Sequence, residues 1–173
     1  LLRVRCSETE PDPKKLLLGA IEFTNQYIST VHEADNMFAT VFLAHIPSSG
    51  DLLTYINGGN EAALVYDPVS GHISECKPSG PAVGIFPEAH FETHAIHITP
   101  ACSIAIFTDG IPDALDQHGN PFGTDRIKKA LCSIHTVDSE GMSRIMQEID
   151  AFTFDAEAVD DITLLMIQKL DSE

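Results

Sequence analysis

At 173 residues, 43% hydrophobic and 21% charged, the chain has the composition of one soluble globular domain with a sizeable core. Its formal net charge of -16 argues against nucleic-acid binding, because affinity for a phosphate backbone comes from clustered Lys and Arg. No apolar run approaches the ~18 residues that span a bilayer, and no basic-then-apolar leader ends in a small-residue cleavage site, so a cytoplasmic chain without membrane insertion is expected.

Asp12-Pro13 has the form of a helix start, and Leu17, Ala20, Ile21, Thr24 and Ile28 follow at helical spacing, which predicts a helix over 13–30. Leu16, Leu17 and Ile21 read as core packing of that helix. Residues 36–46 (NMFATVFLAHI) are rich in strand formers, PSSGD supplies a turn, and 52–57 (LLTYIN) returns as the second strand of a hairpin. AALVYD and GHISEC, on either side of PVSG, predict another hairpin. Residues 90–98 (HFETHAIHI) alternate as a half-buried strand does. The run 102–108 (CSIAIFT) is apolar and too short for a helix, so it predicts a central strand with Asp109 at its carboxyl end. Helical spacing marks 124–135 and 139–152, and 162–170 (ITLLMIQKL) closes the chain as a strand. One helix, many antiparallel strands, two helices and a last strand predict a single α+β domain over 1–173, layered around antiparallel sheet.

Cys6, Cys76, Cys102 and Cys132 lie far apart with no Cys-x-x-Cys pair, which predicts reduced thiols, with Cys102 and Cys132 as small core residues. His90 and His94 share one face of the expected strand while His97 points to the other, so a histidine metal site is not expected. No Gly-x-Ser-x-Gly or Walker-type loop occurs, and serine-hydrolase or nucleotide-triphosphatase chemistry has no support.

The chemistry concentrates in carboxylates. No Lys or Arg occurs between Lys15 and Lys77 or between Lys77 and Arg126, so Asp109, Asp113 and Asp116 have no basic neighbour in sequence. Asp160 and Asp161 open the last strand. If the strands after Cys102 and after Asp161 are antiparallel neighbours, the end of one lies beside the start of the other, and both acid sites share one partly buried rim. Carboxylates held there repel one another unless a cation lies between them, and an all-oxygen set suits Mg²⁺ or Mn²⁺. Gly110 would permit a sharp strand exit and a close backbone approach. The competing reading makes Asp109 a turn former and Asp160-Asp161 a solvated strand edge.

The set MFATVFLAHI, LLTYINGGNEAALVYD, PAVGIF, IAIFTDGIPDALDQHGNPFG and DDITLLMIQ, in this order and spacing over residues 13–170, resembles the SpoIIE/RsbU-type branch of the PPM family of metal-dependent protein serine/threonine phosphatases. The resemblance implies an antiparallel β-sandwich flanked by helices. It implies two Mn²⁺ or Mg²⁺ ions, with Asp109 of TDG as ligand to one, the Asp160 of DDIT as ligand to the other, and Asp161 as a polar position beside the site and a further candidate metal ligand. It further implies hydrolysis of phosphoserine or phosphothreonine on a protein, usually a phosphorylated anti-sigma-factor antagonist of STAS fold, in bacterial signalling and with an upstream sensor or regulatory domain.

Two departures stand out. The family's amino-terminal DxxGHG-like segment, which supplies a bridging Asp, is not found; SGHIS and QHGNPFG fall at the wrong places, and with Leu1 rather than Met at its start the chain is expected to be an amino-terminally truncated domain. In NGGN, Asn60 replaces the His that relatives carry, and Gly58 and Gly59 are expected to serve a tight backbone passage. The alternative function is therefore a catalytically inactive PPM-fold binding or regulatory module. A third reading is an unrelated Mg²⁺-dependent phosphoesterase acting on small molecules.

Overall fold

Asp12 caps the first helix as its position before Pro13 predicts, its carboxylate accepting a hydrogen bond from the Lys14 N–H at 3.0 Å. In chain order the elements of this computed structural model are α1 (Pro13–Val31), β1 (Val41–His45), β2 (Leu52–Gly58), β3 (Ala63–Asp67), β4 (His72–Cys76), β5 (His94–His97), β6 (Ser103–Phe107), α2 (Thr124–Ser133), α3 (Ser139–Thr153) and β7 (Leu164–Gln168). It describes residues 12–32, 35–47, 51–134, 137–154, 156 and 160–170. Cys6, the centre of the PSSGD turn and the expected last residue of the 124–135 helix lie outside them. No helix among the described residues is long and apolar enough to cross a membrane.

The described residues form two compact units. The first runs to Asn60 and resumes over Pro78–Ile96. Its sheet has the order β1-β2-β5, with β1 and β2 antiparallel in the register Val41↔Gly58 to His45↔Thr54. Leu17 and Ile21, one helical turn apart on α1, are buried with Ile56, Val83 and Phe91. Asn25 lies on the same buried face and has three partners: its Nδ2 donates to the carbonyls of Phe86 (2.9 Å) and Pro87 (3.3 Å), and its Oδ1 accepts from the Gly84 N–H (2.8 Å). One amide side chain thereby ties α1 to the 84–87 segment and meets the requirement that buried polar groups be paired.

Three expected strands are shorter than their patterns suggest, the last of them, expected over 162–170, being Leu164–Gln168. Residues 36–40 precede β1 rather than belonging to it: Asn36 is left-handed (φ 49°), and Ala39 exchanges backbone hydrogen bonds with Val83 instead of continuing the β1–β2 ladder. The strand expected over 90–98 is ordered only over His94–His97. Phe91 owes its burial to Gly80, where any Cβ would collide with the Phe91 ring, and the Glu92 N–H donates to the Ser79 carbonyl at 2.9 Å. Apolar alternation there reflects docking of one ring under a glycine, not a pleat.

The second unit comprises Glu61–Lys77 and the chain from His97. Its sheet, in the order β4-β3-β6-β7, is antiparallel at every pairing, and β6 is central as its apolar run predicts. Leu64, Ala105 and Phe107 from this sheet share a core with Ile127, Ala130 and Leu131 of α2 and Ile145 and Ile149 of α3. Cys102 is buried but Cys132 is exposed, contrary to the core position expected for it. The residue after Leu131 sits about 100° further round the helix, off the face that Ile127 and Leu131 define. Lys128 reaches from α2 to Glu75 of β4 at 2.7 Å, which lowers the Glu75 pKa and raises that of Lys128.

Replacing Asn25 by Leu strands the Gly84 N–H and the 86–87 carbonyls, and should destabilise the protein by about 1–3 kcal/mol in urea denaturation. An unchanged unfolding midpoint would show that these bonds contribute nothing net.

Candidate functional site

The β6–β7 ladder runs from Ser103↔Gln168 to Phe107↔Leu164, so the end of β6 lies against the start of β7. One residue beyond the ladder, the Thr108 N–H donates to the Thr163 carbonyl at 3.2 Å. The Thr108 hydroxyl accepts from the Thr163 N–H (3.0 Å) and donates to the Asp161 carbonyl (3.0 Å). Asp109 follows on one side, and Asp160-Asp161 precede on the other. The pairing thus joins acidic segments that lie roughly fifty residues apart, the Thr108–Asp161 separation being 53.

Gly110 makes the approach closer than any other residue would allow. A Cβ there would collide with the Asp161 carbonyl oxygen and lie 2.9 Å from its carbon and 3.3 Å from the Asp160 oxygen. The chain then turns: the Ile111 N–H donates to the Thr108 carbonyl and the Asp113 N–H to the Asp109 carbonyl (2.9 Å). Ile111, Ala114 and Phe122 anchor this excursion in the core of the second unit. Phe122 meets Phe152 edge-on at 5.2 Å, and the Arg126 guanidinium lies 4.6 Å from the Phe152 ring centre, a cation–π contact joining α2 to the end of α3.

Asp116 belongs to a self-contained loop and not to the acidic rim. Its Oδ1 accepts from the N–H groups of His118 (2.8 Å) and Asn120 (2.9 Å), and its Oδ2 from the Asn120 amide (3.0 Å). Donation from the Asn120 side chain foremost, then from the Asn120 and His118 backbone, holds the Asp116 carboxyl below the usual carboxylate range.

Asp109, Asp160 and Asp161 are all exposed, where a partly buried rim was expected. None of the three pairs with a described Lys, Arg or His, so solvent or a cation from solution balances them. One Asp160 oxygen accepts from the Asp161 N–H at 2.7 Å, leaving the other for a ligand. Oxygen-only donors and the Cβ-free cradle at Gly110 fit a hard divalent cation. Among the described residues, however, no three His, Cys, Asp or Glu side chains form a group able to hold a metal. His90, His94 and His97 belong to no such group either.

Gly58 and Gly59 lie in the first unit. Gly59 has φ +74°, and a Cβ there would sit 2.7 Å from the Ala82 nitrogen. The Asn60 N–H donates to the Asn57 side chain at 2.8 Å. Sequence reasoning missed Thr108 and Asn25. Thr108 had a signal in its place before Asp109, and Asn25 in continuing, as a polar residue, the four-residue spacing of Leu17 and Ile21.

Comparison with known proteins decides the family. Residues 6–169 match the model of the Stage II sporulation protein E (SpoIIE) domain. The chain belongs to the SpoIIE family. Protein IcfG of Synechocystis sp. is 31% identical over 169 residues, which make up 95% of this chain but 26% of IcfG. The SiaA-PP2C domain of Pseudomonas aeruginosa superposes with a TM-score of 0.76 at 17% identity, covering 90% of this chain and 65% of that one. The manganese-presoaked phosphatase domain of the cell-fate determinant SpoIIE from Bacillus subtilis gives 0.63 at 16%, covering 97% and 78%. The α+β fold with antiparallel sheets is therefore that of PP2C-type phosphatase domains.

In this SpoIIE-family chain, Gly110→Ala should push the Asp160-Asp161 backbone away at a cost of about 1–3 kcal/mol, read as a lower melting temperature; an unshifted melt would mean that the segment yields freely. Asp116 supplies a pH test. Its pKa is lowered on folding, so its contribution is intact above the ordinary aspartate value of about 3.9 and is lost as pH falls through the depressed folded value. Asp116→Ala should abolish amide-exchange protection of His118 and Asn120 at neutral pH, and acidification of the parent chain should do so only below that ordinary value. Loss of protection already near pH 6 would assign the loop's order to another group.

Proposed function

We propose that the chain acts within a single PPM-type protein phosphatase domain that hydrolyses phosphoserine or phosphothreonine on a signalling protein. The substrate class is a phosphorylated anti-sigma-factor antagonist of STAS fold, in the cytoplasm and under an upstream sensor or regulatory domain. The observation that supports this best is the β6–β7 pairing, which brings the Asp109 turn against Asp160 and Asp161.

Asp109 and Asp160 would hold Mn²⁺ or Mg²⁺, with Asp161 beside them; manganese is the ion with which the Bacillus subtilis SpoIIE domain was presoaked. When bound, such cations provide Lewis acidity toward phosphate oxygens and lower the pKa of a water. The chain's own part is positional. Asp109 and Asp160 concentrate negative charge at the rim, and Gly110 keeps that rim clear of side-chain bulk. The Asp161 N–H, donating to one Asp160 oxygen, orients that carboxylate. With no described Lys or Arg paired to these acids, the rim by itself repels a phosphate monoester, so binding should depend on the divalent cation.

A second reading, a PPM-fold module that binds partners without turnover, has one observation in its favour: no three ligating side chains group among the described residues. Hydrolysis of p-nitrophenyl phosphate with Mn²⁺, measured for this chain and for one extended upstream, separates the two. The phosphatase reading expects manganese-dependent turnover by the longer chain that falls about a hundredfold in Asp109→Ala. Turnover by neither chain supports the module. Phosphopeptides tested against small phosphate esters then distinguish a protein substrate from a metabolite.

A further inference from the structure

We infer that Thr108 is the positioning residue of the acidic site, its hydroxyl clamping the turn that bears Asp109 to the segment that bears Asp160 and Asp161. The argument starts from the ladder. In an antiparallel pair, hydrogen-bonded pairs alternate with open ones. The Lys169 N–H donates to the Cys102 carbonyl at 3.0 Å, and Thr108 follows Cys102 by an even number of residues, so Thr108↔Thr163 is due to be a bonded pair. Half of that pair is made, Thr108 N–H to Thr163 carbonyl. The other half is not: the Thr108 carbonyl accepts from the Ile111 N–H at 3.2 Å, closing the turn that carries Asp109 and Gly110.

The hydroxyl takes the carbonyl's place. It accepts the Thr163 N–H that the ladder would otherwise leave unpaired and passes its own proton to the Asp161 carbonyl, both at 3.0 Å. β6 can therefore end in a sharp turn while the opposite segment stays attached. Without the hydroxyl, the Thr163 N–H and the Asp161 carbonyl lose these partners together, and the two acid-bearing segments are joined by one backbone hydrogen bond beyond the ladder. A side chain one residue from a ligand acts here through backbone and not by touching the ion, as outer-sphere groups do when they set the orientation of a metal site.

The inference rests on the metal reading above, and the test keeps the two apart. Manganese affinity is measured by titration calorimetry on this chain and on one extended upstream, each as the parent, as Thr108→Val (same shape, no hydroxyl) and as Thr108→Ser (hydroxyl kept), with amide exchange of Thr163 and the melting temperature followed for each. Thr108→Val should weaken Mn²⁺ binding about tenfold or more and speed Thr163 exchange. Thr108→Ser should stay within about threefold of the parent in affinity, showing that the hydroxyl and not the methyl matters. Unchanged manganese affinity in Thr108→Val, with Thr163 exchange accelerated, overturns the positioning role and leaves the metal reading standing. Equal loss in Ser and Val overturns it too, assigning the effect to packing. If neither this chain nor the one extended upstream binds manganese, the metal reading falls, and the inference with it.

Discussion

Everything at the candidate site depends on β7 pairing with β6 and not with any other strand. The pairing is fixed by side-chain alternation: on one face of this edge strand Leu164 and Met166 pack against the core of α2 and α3, and a slip of one residue would turn both toward the opposite face. Partial burial of Leu164 and Met166 thus determines which acids meet, although Asp109, Asp160 and Asp161 are themselves exposed. The fold that brings the carboxylates together is set by packing elsewhere, which is the usual division of labour between a packed scaffold and the loops at its rim.

Much of this was legible in the chain. The apolar run before Asp109 and the second run after Asp161 have the lengths and composition of strands, and their antiparallel pairing puts the two acid segments side by side. Asp12-Pro13 announced α1 because capping is local chemistry. What could not be read were features that depend on distant backbone. The burial of Phe91 follows from a glycine eleven positions earlier, and that of Asn25 from carbonyls around Pro87. Thr108 looked like the last residue of a strand; only the competition between Ile111 and Thr163 for its carbonyl gives its hydroxyl a task. The exposure of the acidic rim was misjudged because alternation along a strand says nothing about residues beyond the strand's end.

The excess of acid in the sequence resolves into separate local solutions. Asp116 is saturated by donors of its own loop, Glu75 by Lys128, and Asp12 and Asp138 by the first amides of helices. Each of these carboxylates is stabilised by fixed donors and needs no ion. Asp109 and Asp161 lack such donors among the described residues, and Asp160 has only the amide that follows it. At this place, where two chain segments meet, the acids therefore keep charge that no described fixed donor offsets.

The Asp116–Asn120 loop has a further implication. Its closing bonds all run between its own members, and residues 117–120 are exposed, so the ring is shut without help from the rest of the molecule. Such a loop insulates what lies beneath it from changes at its tip. Gln117 is a natural attachment point for a fluorophore or an affinity handle, one whose presence the Asp109 turn on the far side of Ile111 and Ala114 would not feel.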